Sequence, residues 1–393
     1  MLEALAEDGS GTDDLIRYLN RSGCFPAYAN TEVTYFPVGE DKFAALMEAL
    51  RAARKFIFME YFIIEEGYMW GSILEVLVQK AAEGVDVRVM YDGMCEISLL
   101  PADYCKRLRE KGIKARAYAP IKPVVSSHYN YRDHRKIAVI DGEVAFNGGV
   151  NLADEYINKK RLFGHWKDNA LLLRGDAVRS FTLMFLQMWN VESDGDDFSR
   201  YLSVSAPVHG APGIVLPYGD SPLDDERTGE MVYIDILNRA QRYVHIMTPY
   251  LILDGETVTA LTFAAKRGVD VCLLLPHVPD KRYAFALAKT HYAELLQAGV
   301  RILEYTPGFV HAKLFVSDDC KAVAGTVNMD YRSFYLHFEC GVYLRDVPAV
   351  ADIERDFQRT AAECREIRPE DLRKIPPLTR LAGWLLKVFA PVM

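Results

Sequence analysis

HRKIAVID at residues 134–141 recurs as HAKLFVSD at residues 311–318. Each copy begins with histidine, has lysine two positions later and ends a mostly apolar run with aspartate. Because side chains two positions apart in a β-strand point to the same face, we expect each histidine to lie beside its lysine. An imidazole next to a fixed positive charge suits a bound phosphate, so both motifs are candidate phosphate sites.

The two motifs are part of a longer internal repeat. AAEGVDVR at residues 81–88 returns as AAKRGVDV at residues 264–271, and GIKARAY at residues 112–118 returns as GVRILEY at residues 299–305. Each half alternates helical segments with apolar strands, which is typical of α/β units. The sequence therefore predicts an α/β fold of two pseudo-symmetric repeats, each a mixed, largely parallel sheet flanked by helices.

The periodicity lapses between the halves, which indicates a linker. The predicted organisation is an N-terminal segment at 1–29, a first repeat at 30–195, a linker at 196–222, a second repeat at 223–368 and an amphipathic tail at 369–393. The tail contains RLAGWLLKVF at residues 380–389, whose basic and apolar residues are typical of an interfacial helix. A helix docked on the core is the competing interpretation, and both stand at this stage.

The aspartates that end the motifs are predicted to be structural. Asp141 and Gly142 lie between two runs of β-forming residues, 136–140 and 143–146, which is a signal for a two-residue hairpin. We therefore interpret Asp141, and Asp318 in the second half, as turn and support residues rather than catalytic carboxylates.

An asparagine follows each hairpin at the same distance from the motif. GGVN at residues 148–151 ends in Asn151, and GTVN at residues 325–328 ends in Asn328. Small residues let the backbone approach a ligand, and the asparagine amide donates hydrogen bonds to it. Both asparagines are therefore candidate ligand-binding residues.

A carboxylate follows each asparagine and is a candidate to orient a histidine in one tautomer. The candidates are Asp168 and Glu339, with Glu155 competing in the first half. His165 and His337 lie near these carboxylates, so a place in the pocket competes with an ordinary structural role. For the arginines beside the motifs, contact with a charged ligand and surface ion pairing are equally consistent; these are Arg132, Arg135 and Arg332.

The composition excludes several classes of protein. Half of the 393 residues are hydrophobic and 25% are charged, which is typical of a globular chain. A net charge of −8 argues against a protein that grips nucleic acid. The seven cysteines form no metal-ligand pattern, which favours a reducing compartment and no structural metal. Neither a secretory signal nor an apolar run of about 18 residues is present.

The sequence resembles two-repeat enzymes of the phospholipase D superfamily and, within them, bacterial cardiolipin synthases. The resemblance covers the chain from about Asn30 onward. It rests on YRDHRK at 131–136, GGVN at 148–151 with Glu155 and Tyr156, WKD at 166–168, TPY at 248–250, GTVNMD at 325–330 with Arg332 and Ser333, and FAP at 389–391. Two histidine–lysine motifs with matched asparagines are far more specific than one.

The resemblance implies phosphodiester exchange through a covalent phosphohistidine, with the two motifs meeting at the interface of the halves. His134 is expected to be the nucleophile and His311 the general acid and then base, although the reverse assignment stays open. The residues expected to hold the non-bridging phosphate oxygens are Lys136, Lys313, Asn151 and Asn328. These residues can offset the developing charge, so neither a cofactor nor a metal is expected.

The implied activity is cardiolipin synthesis, in which a phosphatidyl group moves from one phosphatidylglycerol to another and glycerol is released. Two alternatives stay open: a phospholipase D-type hydrolase, and a non-catalytic lipid-binding protein, which the two intact motifs disfavour. The expected partners are phospholipid and a membrane surface rather than nucleic acid. The expected location is the bacterial cell membrane, peripheral or on its cytoplasmic face, and the oligomeric state stays open.

The sequence departs from the family pattern in several places. YDGMC at residues 91–95 lacks the Gly-Ser that commonly follows in the family, and Asp133 and His337 stand where asparagine is usual. The two membrane-spanning helices with which bacterial cardiolipin synthases usually begin are also absent from this sequence. These departures leave the chemistry intact and bear on acceptor choice and membrane docking.

Overall fold

The computed structural model describes residues 2–7, 9, 11–120, 130–192, 195–202, 208–388 and 390. The family-like motif at 389–391 and part of the predicted linker, residues 203–207, therefore lie outside the described residues, Ala390 excepted. Within the described ranges, none of the helices combines the length and apolarity needed to cross a bilayer.

The first half alternates helices and strands as the sequence predicts. Its elements are α1 (Leu2–Glu7), α2 (Thr12–Gly23), β1 (Thr31–Phe36), α3 (Gly39–Ala52), β2 (Phe56–Tyr61), α4 (Tyr68–Ala82), β3 (Asp86–Asp92), α5 (Cys95–Ser98), α6 (Tyr104–Glu110), β4 (Lys114–Tyr118), β5 (Arg132–Asp133), β6 (Lys136–Ile140), β7 (Val144–Gly148), β8 (His165–Lys167), β9 (Ala170–Gly175), α7 (Val178–Trp189) and α8 (Ser199–Leu202).

The second half repeats this order. Its elements are β10 (Ile214–Asp220), α9 (Thr228–Arg239), β11 (Tyr243–Met247), β12 (Leu251–Ile252), α10 (Gly255–Lys266), β13 (Asp270–Pro276), α11 (Arg282–Ala298), β14 (Arg301–Tyr305), β15 (Gly308–Val310), β16 (Leu314–Ser317), β17 (Lys321–Gly325), β18 (Met329–Asp330), α12 (Tyr331–Tyr335), β19 (His337–Arg345), α13 (Ala349–Ala361), β20 (Cys364–Glu366), α14 (Pro369–Leu372) and α15 (Pro377–Lys387).

The two main sheets have the same topology. The first runs β1-β9-β7-β6-β2-β3-β4, and the second runs β10-β19-β17-β16-β11-β13-β14 with β20 added beyond β14. In each sheet, three neighbouring strands pair in parallel, β2-β3-β4 and β11-β13-β14, and the others pair antiparallel. The predicted α/β fold of two repeats with mixed sheets is confirmed.

Strand β10 corrects the predicted boundary of the second repeat. It falls inside the linker predicted at 196–222, yet it pairs along its whole length with β19 of the second sheet. Its sequence gives a weak strand signal, because Pro217 and Gly219 interrupt the run of β-forming residues. The second sheet therefore begins at Ile214 rather than after residue 222.

Helix α7 lies between the two sheets and joins them into one core. Phe185 stacks on Phe58 of β2 with ring centroids 4.6 Å apart. The same buried cluster contains Val342 and Leu344 of β19 in the second sheet. Burial of side chains from both halves in one cluster fixes the position of the halves relative to each other.

Two short strand pairs also cross between the halves. Strand β5 pairs in parallel with the start of β19, and β8 pairs in parallel with β15. Each of these pairs lies directly before one histidine–lysine motif. Two further backbone hydrogen bonds join the halves at these points: the His134 amide donates to the Phe338 carbonyl (2.9 Å), and the His311 amide donates to the Lys167 carbonyl (2.7 Å).

The hairpin after the first motif differs from the predicted two-residue turn. Strands β6 and β7 pair up to Ile140 and Val144, which leaves a loop of three residues, 141–143. Asp141 and Gly142 adopt left-handed φ values of 58° and 71°. Aspartate and glycine tolerate this region far better than most residues, which explains both residues at the turn.

Asp141 also lies against the start of β2. Its carboxylate accepts hydrogen bonds from the backbone amides of Arg54 (2.8 Å), Lys55 (2.7 Å) and Phe56 (2.9 Å). Asp318 makes the equivalent bonds to three consecutive amides at residues 241–243 in the second half. The two aspartates therefore tie each hairpin to the neighbouring strand.

We expect Asp141→Ala to lower the free energy of unfolding by about 2–4 kcal/mol, because three backbone amides lose a charged acceptor. Urea unfolding followed by circular dichroism measures this change. Asp225→Ala, at an exposed loop position, serves as the control and leaves the midpoint unchanged. Equal midpoints for the two variants would contradict the support role.

Candidate active site

A cavity of about 390 Å³ lies at the junction of the halves. Its lining includes His134 and Asn151 from the first half and His311 and Asn328 from the second. A larger opening of about 550 Å³ beside Trp189 contains neither motif. The structure thus brings the two sequence motifs, which are far apart along the chain, to one enclosed site.

Each histidine is paired with a carboxylate from the opposite half. The His134 Nδ1 lies 2.9 Å from Oε1 of Glu339, and the His311 Nδ1 lies 2.7 Å from Oδ2 of Asp168. Both carboxylates are fully buried. Because a carboxylate accepts only from an N–H, these contacts place the proton on Nδ1 and leave Nε2 of each ring facing the cavity.

Glu155 does not take the orienting position for which it competed. It lines the cavity, and its buried Oε2 has no hydrogen-bond partner within the described ranges. Asp168 occupies that position instead, because β8 carries it past β15 to the histidine of the other half. Because this carboxylate and its histidine belong to different halves, no short sequence spacing between them could have predicted the contact.

The histidines lie in breaks between strands, not inside them as the motif pattern predicts. His134 separates β5 from β6, and His311 separates β15 from β16. The break has a physical reason: in the first half, the chain pairs with the other half before His134 and with its own sheet from Lys136 onward. Each histidine therefore stands where the two halves meet.

Each lysine nevertheless lies beside its histidine. The Lys136 Nζ donates to the His134 carbonyl, and the Lys313 Nζ donates to the His311 carbonyl and lies 2.9 Å from the His311 Nδ1. Burial lowers the pKa of Lys136 to about 8 and that of Lys313 to about 7. A bound anion would favour the charged form of both lysines.

The two asparagines differ in their hydrogen bonds. Asn151 is held at both ends of its amide: Oδ1 accepts from the Ile63 amide (3.0 Å), and Nδ2 donates to the Tyr156 hydroxyl (2.7 Å). Asn328 is anchored through its backbone amide, which donates to the Ser333 hydroxyl, while its Oδ1 is buried without a partner among the described residues.

The environments of the two histidine–carboxylate pairs are unequal. Burial lowers the pKa of His134 well below its usual value, and Lys136 adds to this shift; burial also raises the pKa of Glu339 well above its usual value. Burial lowers the pKa of His311 to about 4, with Asp168 opposing the shift. Burial alone would raise the pKa of Asp168, but His311 and Lys313 hold it below its ordinary value. The pKa of the carboxylate is therefore lowered beside His311 and raised beside His134.

Aromatic rings hold both imidazoles in place. The Phe62 ring centroid lies 4.9 Å from that of His134, and the centroids of Trp166 and Tyr156 lie 5.3 and 5.4 Å from that of His311. Phe62 was not singled out from the sequence. Its one available signal is its position directly after β2, at the strand end nearest the first motif.

The arginines beside the motifs, together with His165 and His337, form two groups: residues that line the cavity and residues that do not. Arg132 and Arg332 line the cavity, and Arg132 also forms an ion pair with Asp92. Arg135 is buried between Glu60 and Asp133, so its role is ion pairing. His337 lines the cavity next to His134, with ring centroids 5.3 Å apart, whereas His165 bonds to Tyr305 and does not line it.

One cluster in the cavity has the residue types of a metal site. Ligand atoms of His134, His337 and Glu339 lie within 4.8 Å of one another. Burial lowers the pKa of His337, however, and the positive charges of Arg332 and Lys136 lower it further. Because these cations oppose a divalent ion, the donor set does not fit a metal well, and no step of the proposed chemistry uses one.

Comparisons with known proteins identify relatives over most of the chain. The family described as cardiolipin synthase, PLD-like domain, matches residues 46–189 and again residues 233–361. An uncharacterized protein of Streptococcus mutans is 56% identical over 393 residues, all of this chain and 85% of its own length. Cardiolipin synthase 2 of Bacillus cereus is 35% identical over 381 residues, 96% of this chain and 74% of its own length.

A solved structure shares the fold. The phosphatidylserine synthase of Haemophilus influenzae superposes with a TM-score of 0.72, over 97% of this chain and all of that one, at 15% identity. The duplicated sheets and the paired motifs at their junction define a two-repeat enzyme of the phospholipase D superfamily. With the family match and the relatives at 35% identity, the chain belongs to the cardiolipin synthase family of phosphatidyltransferases.

Proposed function

We propose that this protein is a cardiolipin synthase, which transfers a phosphatidyl group from one phosphatidylglycerol to a hydroxyl of a second and releases glycerol. One observation carries the proposal. Two histidines, each with its Nδ1 held by a carboxylate of the opposite half, present Nε2 to one cavity. Such a pair supplies a nucleophile and a proton donor on either side of one phosphate.

In the first proposed step, the His134 Nε2 attacks the phosphorus of the donor lipid. A phosphorus–nitrogen bond forms, the phosphorus–oxygen bond to the headgroup glycerol breaks, and His311 gives its proton to the leaving glycerol oxygen. In the second step, His311 takes the proton of the acceptor hydroxyl, whose oxygen attacks phosphorus. The phosphorus–nitrogen bond then breaks, so His134 is restored and cardiolipin is formed.

The unequal carboxylates support this assignment of the histidines. Burial raises the pKa of Glu339 and lowers that of His134, and both shifts favour the uncharged imidazole that a nucleophile needs. Asp168 has a lowered pKa and stays ionised beside His311, which stabilises the imidazolium that a general acid needs. Pairs of titratable groups with opposed environments commonly divide acid and nucleophile roles in this way.

The phosphate-holding role is proposed for the buried lysines and the asparagines. Lys136 and Lys313 do not line the cavity, but each contacts the carbonyl of a histidine that does. A phosphodiester anion bound at the two histidines would offset the desolvation of both lysines. Asn151 keeps one N–H of its amide free of the Tyr156 bond, because the group has two donors. Donors fixed before substrate arrives stabilise the charge of the transition state most effectively.

The acceptor distinguishes transfer from hydrolysis, since the same histidines would serve water equally well. The cardiolipin synthase named among the relatives supports a lipid hydroxyl as the acceptor. Because the substrate is a bilayer lipid, we also propose that the reaction takes place at the surface of the bacterial membrane.

The direct test incubates the purified protein with phosphatidylglycerol vesicles in the presence of EDTA. We expect cardiolipin and free glycerol in equal amounts, measured by mass spectrometry of the lipids and an enzymatic glycerol assay. Phosphatidic acid without cardiolipin would replace the transferase assignment with a hydrolase. Activity that appears only after a divalent cation is restored would contradict the metal-independent mechanism.

A further inference from the structure

Helix α15 exposes a continuous apolar face. Leu378 is 80% exposed, Trp384 71% and Val388, directly after the helix, 77%, and the same face includes Leu381 and Leu385. At 3.6 residues per turn these five side chains occupy about a third of the helix circumference. A soluble surface rarely leaves so many large apolar side chains together in water, so this face indicates an interaction site.

The opposite face of α15 is docked on the protein. Gly383 is buried against α11, where a Cβ atom would lie 2.6 Å from the Ala286 carbonyl oxygen. Leu386 and Ala390 pack in a cluster with Leu287. One face of the helix is therefore fixed to the core, and the other face is exposed.

Helix α15 lies close to the active-site cavity. Ala286, which contacts Gly383, is one helical turn from Tyr283, and Tyr283 lines the cavity. The cluster that receives Leu386 also packs against Tyr250, another cavity residue. Three large apolar side chains of the cavity lining are themselves exposed, namely Met94, Leu162 and Tyr283.

The charge around α15 is opposite to that of the whole protein. Residues 372–388 contain four basic residues and no acidic residue, in a chain whose net charge is −8. The four are exposed and are Arg373, Lys374, Arg380 and Lys387. Basic residues beside an apolar helix face, with tryptophan among the apolar side chains, are typical of helices that bind anionic membrane surfaces.

We propose that the exposed face of α15 docks the protein on an anionic phospholipid bilayer, with the apolar cavity mouth turned toward the same surface. This inference deepens the proposed function, since a phosphatidylglycerol bilayer would be both substrate and docking partner. A second copy of the chain fits less well, because a two-fold contact through α15 would bring two sets of the same four cations together. Docking in this orientation gives a lipid headgroup direct access to the cavity.

The test compares vesicle binding of the full chain and of Leu381→Ser/Trp384→Ser. Sedimentation with vesicles of phosphatidylglycerol and phosphatidylcholine is expected to show partitioning reduced by about tenfold or more in the double variant. Wild-type binding is expected to weaken on pure phosphatidylcholine and at high salt. Phe263→Ser is the matched control, because Phe263 is 52% exposed on α10, and it should bind as the wild type does.

Three outcomes overturn the inference. The double variant could bind vesicles as well as the wild type does, or the Phe263→Ser control could lose as much vesicle binding as the double variant. The third is that sedimentation velocity shows different oligomeric states for the wild type and the double variant. The last would identify the face as a contact between copies. Sedimentation requires no turnover, so a chain that binds vesicles but makes no cardiolipin contradicts only the proposed activity. With monomeric short-chain phosphatidylglycerol, the double variant should react at the wild-type rate, which excludes loss of folding.

Discussion

His134→Gln is expected to abolish cardiolipin formation, with a fall in kcat of about 10⁴-fold or more, as for other lost nucleophiles. Glutamine keeps a polar side chain near Glu339 but has no nitrogen able to form the covalent intermediate. The measurement is the rate of glycerol release from phosphatidylglycerol. A fall of less than about 10²-fold, the scale of a single lost donor rather than a lost nucleophile, would contradict the assigned role.

The chain offers a close control for this substitution. His245 is also buried, and its Nδ1 lies 2.9 Å from a carboxylate oxygen of Glu354, but it does not line the cavity. His245→Gln therefore removes a histidine–carboxylate pair of the same kind outside the site. We expect it to affect stability and to leave glycerol release close to the wild-type rate.

The partner substitution distinguishes the two histidines. His311→Gln removes the proton donor of the first step and the base of the second, so any intermediate that forms is expected to persist on His134. Intact-protein mass spectrometry after incubation with phosphatidylglycerol should then show one added phosphatidyl group, labile to acid. The adduct in His134→Gln but not in His311→Gln would reverse the assignment of nucleophile and acid.

The fold and the positions of the candidate site residues were predictable because their signals are local. The repeated α/β pattern and the spacing from His134 to Asn151 depend on short-range periodicity, which one chain displays directly. The pairing of carboxylates was not predictable in this way. Glu339 is 205 residues from the histidine that it contacts, and Asp168 is 143 residues from its own.

The remaining differences also arise from contacts between the halves. The sequence pattern predicts strands through His134 and His311, but strands β5 and β15 belong to pairs that cross the interface and end before each histidine. Phe62 reaches His134 only because β2 and β6 are neighbours in the folded sheet. Tertiary packing determines where these strands end and which side chains contact His134, and local sequence propensity does not predict such packing.

The second large effect is expected from Asp168→Asn, which should lower kcat by about 10³–10⁴-fold, the scale seen when an orienting carboxylate is replaced by its amide. The Asp168 carboxylate accepts from the His311 Nδ1 and fixes its tautomer. An amide in its place can present N–H to that nitrogen and so turn the proton toward Nε2. Asp254→Asn is the matched control, since Asp254 caps α10 outside the cavity and asparagine is an equally good N-cap.

The pH profile of the Asp168→Asn variant separates an electrostatic role from a structural one. Asp168 raises the pKa of His311 against the opposing effects of burial and Lys313. Removing that charge lowers the pKa further, so a smaller fraction of His311 is protonated at any given pH. Because the proposed first step needs protonated His311, the alkaline limb of kcat should move to lower pH. A loss of activity with the limb unmoved would mean that Asp168 only holds the halves together, and His311 would then lose its assignment as the acid.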